Sequence, residues 1–284
     1  MMWFLLSLTS AASQSLTDLF SKKALVSAPV PLVAWVRVAF PLPILAAIAV
    51  ADGWTQPHGA FWLAVGCAIP LEILAALLYQ RALQLSPLGL TAPYLAFTPA
   101  FLVFTGRWIL GEAPTPAALM GIGLIVFGGY LVQLAPGMGP LDPLRALIRE
   151  RGSLLMLAVS FLYSITSALG KIAVLNSGPT TFAFLYYLLI TVLLAPKAVP
   201  GVARLGRREM AFLLPISLFG SAMILTHFLA IRVAPASYMV AVKRTSLLWS
   251  ILLGRFFLNE DPLRLRLLGG SVMLAGAFAL AVSG

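Results

Sequence analysis

The chain has 284 residues, of which 61% are hydrophobic and only 10% charged, a balance that excludes an ordinary soluble globular domain. Its formal net charge of +10 reads as attraction to anionic lipid and a bias toward one membrane face, not as a nucleic-acid footprint. A single cysteine, Cys67, rules out an internal disulfide framework or a CxxC metal pair and reads as a small packed residue.

At about 20 apolar residues per crossing, this length accommodates around ten helices. Long continuous apolar runs, rather than alternation every second residue, argue against a membrane barrel. The runs break at Pro, Gly and charge clusters and predict spans near 2 to 25, 30 to 51, 59 to 84, 87 to 109, 114 to 134, 153 to 175, 178 to 199, 208 to 231, 235 to 258 and 262 to 283. The opening MMWFLLSLTSAASQS has no basic segment before its apolar run and is interrupted by Ser, Thr and Gln, so it is read as the first helix and not as a cleaved signal.

In that first span Ser7, Ser10, Gln14, Thr17 and Asp18 recur at intervals of three and four, a polar stripe on an apolar helix. Ser160, Ser164, Ser167 and Lys171 repeat the pattern in the sixth. Lipid does not tolerate such stripes, so they face either neighbouring helices or a wetted wall. Arg37 in the second span and Glu72 in the third are intramembrane charges; Arg37 is expected in a structural pair with Glu72 or Asp18. Glu72 is a candidate proton-binding carboxylate, and His227 in the eighth span either a packed polar group, a substrate donor or a proton-coupling group. Trp35, Tyr79, Tyr94, Tyr163, Tyr186 and Tyr238 lie within spans, where some could stack on a ligand ring or surround an amine.

The ninth span, PASYMVAVKRTSLLWSILLGRFFL, sets Lys243 and Arg244 side by side in an almost unbroken apolar run. A helix of that length would be roughly 36 Å long and would place Lys243 about 12 Å deep, at a cost on the order of 3 kcal/mol per charge. Either Lys243 snorkels to the surface while Arg244 pairs with a carboxylate such as Glu72, or both border a water-filled cavity and attract an anion. The cavity is the reading adopted.

The two halves repeat. GRWILGEAP from Gly106 matches GRFFLNEDP from Gly254 at a shift of 148, and the same shift carries Pro87 to Pro235, Gly121 to Gly269, Gly128 to Gly276, Pro31 to Pro179 and Lys23 to Lys171. Residues 2 to 134 form the first unit, 135 to 152 a linker and 153 to 283 the second. With five crossings each, the units enter the membrane from opposite sides, so the fold expected is all-α, ten transmembrane helices as two inverted-topology five-helix repeats around a central cavity. Glu112 and Glu260 each stand before a proline that opens the next helix, and are expected to be structural, at positive helix ends and paired with Arg107 or Arg255. Thirteen of the nineteen Lys and Arg fall after odd-numbered spans, which by the positive-inside rule puts both termini outside the cytoplasm.

GRWILGEAPTPAALMGIGLIVFGGYLV, RALQLSPLGLTAPYLAFTP, the VAWVRVAF run carrying Arg37 and the second copy ending at Glu260 resemble the EamA domains of the drug/metabolite transporter superfamily, over nearly the whole chain. The resemblance implies helices one to four and six to nine around the cavity, with five and ten outside it, in a bacterial cytoplasmic membrane. The Lys243-Arg244 pair is similar to the phosphate-holding pair on the ninth helix of triose-phosphate/phosphate translocators, although Tyr94 lies in the fourth span where those relatives have a lysine.

No GxxxxGK[ST] loop, metal-ligand cluster, Cys/His pair or GxSxG elbow is present, so no cofactor and no enzymatic activity are expected. The function expected is a secondary transporter or exchanger of a small anionic metabolite. Lys243 and Arg244 attract it, Asp18, Gln14, Ser164, Tyr79, Tyr94, Trp35 and His227 contact it, and Glu72 or His227 couples a proton unless a counter-substrate does. The alternatives are an exporter of amino acids or organic amines, a lipid flippase, and a membrane assembly or receptor subunit without flux. Partners expected are the substrate, membrane lipid and either no second copy or one, since paired glycines permit close approach within a monomer or across a homodimer.

Overall fold

The computed structural model describes residues 1–86, 91–132, 134, 139, 150–202, 207–258 and 264–283, and every regular element among them is helical. The elements are α1 (Met2–Ala24), α2 (Val30–Ala39), α3 (Leu42–Ala51), α4 (Phe61–Leu85), a 3₁₀ segment (Ala92–Phe97), α5 (Thr98–Leu110), α6 (Pro116–Leu131), α7 (Arg151–Leu175), α8 (Pro179–Val202), α9 (Arg207–Val233), α10 (Ala236–Lys243), α11 (Ser246–Leu258) and α12 (Arg264–Ser283). Five stretches are long and apolar enough to cross a membrane: Val30–Ala51, Phe61–Leu85, Arg151–Leu175, Pro179–Val202 and Ala211–Val233. This is an integral membrane protein.

Local chemistry sets several boundaries. The Thr115 side chain accepts the Ala118 N–H and Pro116 follows, a favourable start for α6. Glu150 caps α7 by accepting the Ser153 N–H. Gly111 ends α5 at φ 71°, a left-handed conformation that glycine adopts without strain. Pro70, Pro196, Pro200 and Pro215 lie inside helices rather than ending them, as neighbouring helices in a membrane bundle permit.

Three expected spans are not single helices. The second breaks at Phe40–Pro41, where Pro41 and Pro43 offer no N–H to the Arg37 and Ala39 carbonyls, and the Phe40 carbonyl accepts from Ser217 Oγ at 2.7 Å. In the fourth, the described part begins as the 3₁₀ segment before continuing as α5. The ninth divides at Arg244–Thr245, beside the two cations. No proline or glycine causes that break. Thr245 N–H and Oγ1 both bond the Val242 carbonyl, at 3.0 and 2.8 Å, and Arg244 N–H bonds Ala241 O at 3.0 Å, so the chain tightens into a 3₁₀-like turn.

The helices keep the sequence offset. α5 and α11 begin at Thr98 and Ser246 and end at Leu110 and Leu258, while α4 and α9 end at Leu85 and Val233, each pair 148 apart. Equivalent elements also exchange partners: α1 packs along α9, and α7 along α4. α6 and α12 pack on each other through the paired glycines. A Cβ on Gly128 would lie 2.5 Å from the Gly269 carbonyl oxygen, and one on Gly276 2.6 Å from that of Gly121. Gly121 therefore meets Gly276 and Gly128 meets Gly269, so the two helices run antiparallel and the close approach lies within one chain. Most of the stretch expected as a linker, and Glu260, lie outside the described residues, as does the Arg255 side chain.

Candidate functional site

A cavity of about 90 Å³ lies between α1, α2, α4, α7, α8, α9 and α10, at the ends of the broken segments. At about 30 Å³ per molecule, that is room for about three waters, or a small ligand. Its wall carries four charged side chains, Arg37, Glu72, Lys243 and Arg244.

Lys243 closes α10 and is 8% exposed; its Nζ is 3.3 Å from Met223 Sδ and 3.3 Å from His227 Nδ1. With the lysine donating, His227 accepts on Nδ1 and carries its proton on Nε2. Arg244 sits in the tight turn after α10, 3% exposed, and its Nε has no hydrogen-bond partner. Both cations border the one cavity even though adjacent residues diverge, by about 100° on an α-helix and about 120° in a 3₁₀ turn.

Among the described residues the ion pairs are Arg37–Asp18 and Lys171–Glu112, so neither Lys243 nor Arg244 has a carboxylate within salt-bridge distance. Arg37 lines the cavity but is neutralised there: its Nη1 donates to Asp18 Oδ1 at 2.7 Å and to Ser21 Oγ at 2.9 Å. Glu72 is the remaining carboxylate of the wall, facing Thr166 and Tyr186. In formal charges the wall therefore carries two cations against one free anion.

Of the residues expected to contact substrate, Lys243, Arg244, Gln14 and His227 line the cavity, together with Glu72. Asp18, Tyr79, Ser164, Tyr94 and Trp35 do not. Asp18 is spent on Arg37 and on the Tyr79 hydroxyl, which donates to its Oδ2 at 2.6 Å. Tyr79, 2% exposed, is held in that pair and packs on Tyr163. Ser164 Oγ donates to the Phe161 carbonyl of its own helix at 2.7 Å. The Tyr94 ring stacks on Phe97 in the 3₁₀ segment, and the Trp35 indole N–H donates to Thr191 O at 3.0 Å.

The polar stripes are mostly glue between helices, not a wetted wall. Ser10 Oγ donates to Met223 O at 3.1 Å, Ser160 Oγ and Thr98 Oγ1 lie 3.0 Å apart, and only Gln14 and Ser167 of the two stripes reach the cavity. Glu112 is bound neither to Arg107 nor at the start of its own following helix. It pairs with Lys171 and accepts the Ala236 N–H at 2.9 Å, at the start of α10, while Lys171 also donates to Ala234 O at 2.6 Å. The reason is tertiary: the end of α5 abuts α7 and α10, and the exposed Arg107 points away.

Sequence reasoning missed Thr166, Tyr187, Met223 and Phe228 as cavity residues. Thr166 stands 148 residues after Asp18, a signal the repeat already contained. The others are apolar or aromatic positions in apolar helices, and nothing in their spacing marks them.

The profile of the EamA-like transporter family matches residues 1–134 and again 150–282. No curated protein matches the chain. Among solved structures, one crystal structure of a protein superposes with a TM-score of 0.72 over 96% of each chain at 16% identity, a likeness of fold alone. The two profile matches cover almost the entire sequence, and the chain belongs to the EamA-like transporter family, within the drug/metabolite superfamily of small-molecule transporters.

Proposed function

We propose that this protein is a secondary transporter or exchanger that moves a small anionic metabolite, phosphorylated or carboxylated, by alternating access between two inverted five-helix units spanning the membrane ten times. The observation that carries the reading is the pair of buried cations, Lys243 and Arg244, bordering an internal cavity with no carboxylate in salt-bridge reach among the described residues. Burial of an unpaired charge is costly, and an anionic ligand offsets that cost. The antiparallel packing of α6 on α12 and the matching breaks of the fourth and ninth spans, at Thr98 and Ser246, support the inverted repeat, since discontinuous helices at matching positions surround transporter sites. The bacterial cytoplasmic membrane, with both termini on its outer side, is the location that fits the charge distribution.

The test is uptake into proteoliposomes by the wild type, Lys243→Ala and Arg244→Ala, with phosphate esters, carboxylates and amines as competitors. Anions are expected to compete, and each variant to lose about tenfold or more in uptake, equivalent to roughly 1.4 kcal/mol or more. Normal uptake by both folded variants overturns the reading. A second reading, export of amines or amino acids, is favoured by Glu72 standing among Tyr163, Tyr186, Tyr187 and Phe228. It predicts that amines compete and that Glu72→Gln, not Lys243→Ala, abolishes transport.

A further inference from the structure

Among the described residues, two buried side-chain polar atoms on the wall of this one cavity have no hydrogen-bond partner, Gln14 Oε1 and Arg244 Nε. Both side chains are more than nine-tenths buried, at 5% and 3% exposed. Buried polar groups are normally satisfied, so two in one hollow mark the places where a ligand completes the bonding. Arg244 is a cationic donor and suits the anion already proposed. Gln14 Oε1 is different in kind, because a carbonyl oxygen only accepts.

The orientation of that amide follows from its neighbours. Asp18, bonded to Arg37 Nη1, is an acceptor, and it takes the single proton of the Tyr79 hydroxyl at 2.6 Å. The Tyr79 oxygen is then left only as an acceptor, so the Gln14 group facing it at 3.4 Å must be Nε2, and Oε1 is turned the other way. A chain of four side chains, Arg37–Asp18–Tyr79–Gln14, thus sets which end of the amide is free. Its reversal would set Oε1 against an oxygen that has no proton to give.

We propose that Gln14 is a specificity-determining residue that reads a hydrogen-bond donor on the transported anion, with Asp18 and Tyr79 as positioning residues. The substrate class is then narrower than a small anion: it is an anion that also carries a hydroxyl or ammonium group. This rests on the anion reading above. A ligand without the donor leaves Gln14 Oε1 buried and unpaired, which is the kind of penalty by which sites discriminate against deletion of one polar group.

The test is a binding series on the purified full-length protein with three probes on one carbon skeleton, propionate, 2-hydroxypropionate and alanine, measured by calorimetry and ligand-dependent melting shift. The wild type is expected to bind 2-hydroxypropionate or alanine about tenfold or more tightly than propionate, and which of the two leads assigns hydroxyl or ammonium. Gln14→Met is expected to erase that preference, the three probes then binding within about twofold of one another. Tyr79→Phe, which removes the oxygen that orients the amide, is expected to reduce the preference with Gln14 still present, so the inference does not depend on one variant folding. Lys243→Ala is expected to weaken all three probes together. Equal affinity of the wild type for the three overturns the role of Gln14 and leaves the anion reading intact, as does a uniform loss in Gln14→Met. Failure of every probe to bind, with Lys243→Ala indistinguishable from wild type, overturns both.

Discussion

Asp18→Ala isolates the energetics of the charge network behind the cavity. The Asp18 side chain is 4% exposed and that of Arg37 13%, and their contact is a single 2.7 Å bond from Nη1 to Oδ1. Removing the carboxylate strips Arg37 of its counter-charge, leaving Nη1 the Ser21 hydroxyl, and deprives the Tyr79 hydroxyl of its acceptor. Breaking one member of a buried pair costs about 3–5 kcal/mol. At about 2–4 °C per kcal/mol for a chain of this order of size, the melting temperature in detergent should fall by about 6–20 °C. The comparison that tests the reasoning is the double variant Asp18→Leu with Arg37→Met, in which no buried charge is left alone. It should recover most of the loss, since apolar replacement of a whole buried pair is often neutral or stabilising. Scanning fluorimetry on the wild type, Asp18→Leu, Arg37→Met and the double variant provides the cycle. A melting point for Asp18→Ala within about 2 °C of wild type, or a double variant no better than the single, refutes the assignment of Arg37 as a charge held by Asp18.

The glycine seam and the Glu112 contact yield two further expectations. Gly128→Ala places a methyl 2.5 Å from the Gly269 carbonyl oxygen and 2.6 Å from Met273 Cγ, where backbone cannot give way, and should cost about 1–3 kcal/mol, read as a lower melting point. Gly123→Ala, on the same helix with nothing within 4 Å of the added methyl, should be neutral or slightly stabilising. Glu112→Ala removes the partner of Lys171 and the acceptor of the Ala236 N–H, so hydrogen exchange should quicken at the start of α10 while the α6 amides remain protected. Unchanged exchange at Ala236 sinks that expectation.

The offset of 148 residues was written in the order of the chain: GRWILGEAP and GRFFLNEDP declare it, and helix ends recur at that spacing. Hydropathy alone likewise established a helical membrane protein, because apolar runs of this length leave the backbone no other way to satisfy its own hydrogen bonds in lipid. The composition of a run, however, does not say which of its polar side chains turns toward a partner and which toward a hollow. Lys243 and Gln14 face the cavity, whereas Asp18, Tyr94 and Ser164, equally polar and equally embedded, are consumed by Arg37, Phe97 and the Phe161 carbonyl. Even the break beside Arg244 was present only as a faint signal, a Thr and a Ser after two cations, which becomes a turn because their hydroxyls and carbonyls find partners, Val242 O and Ser15 Oγ among them. Period and hydropathy are properties of a segment and need nothing else. Pairing between helices depends on distances across the bundle, and those come into being only when the segments pack.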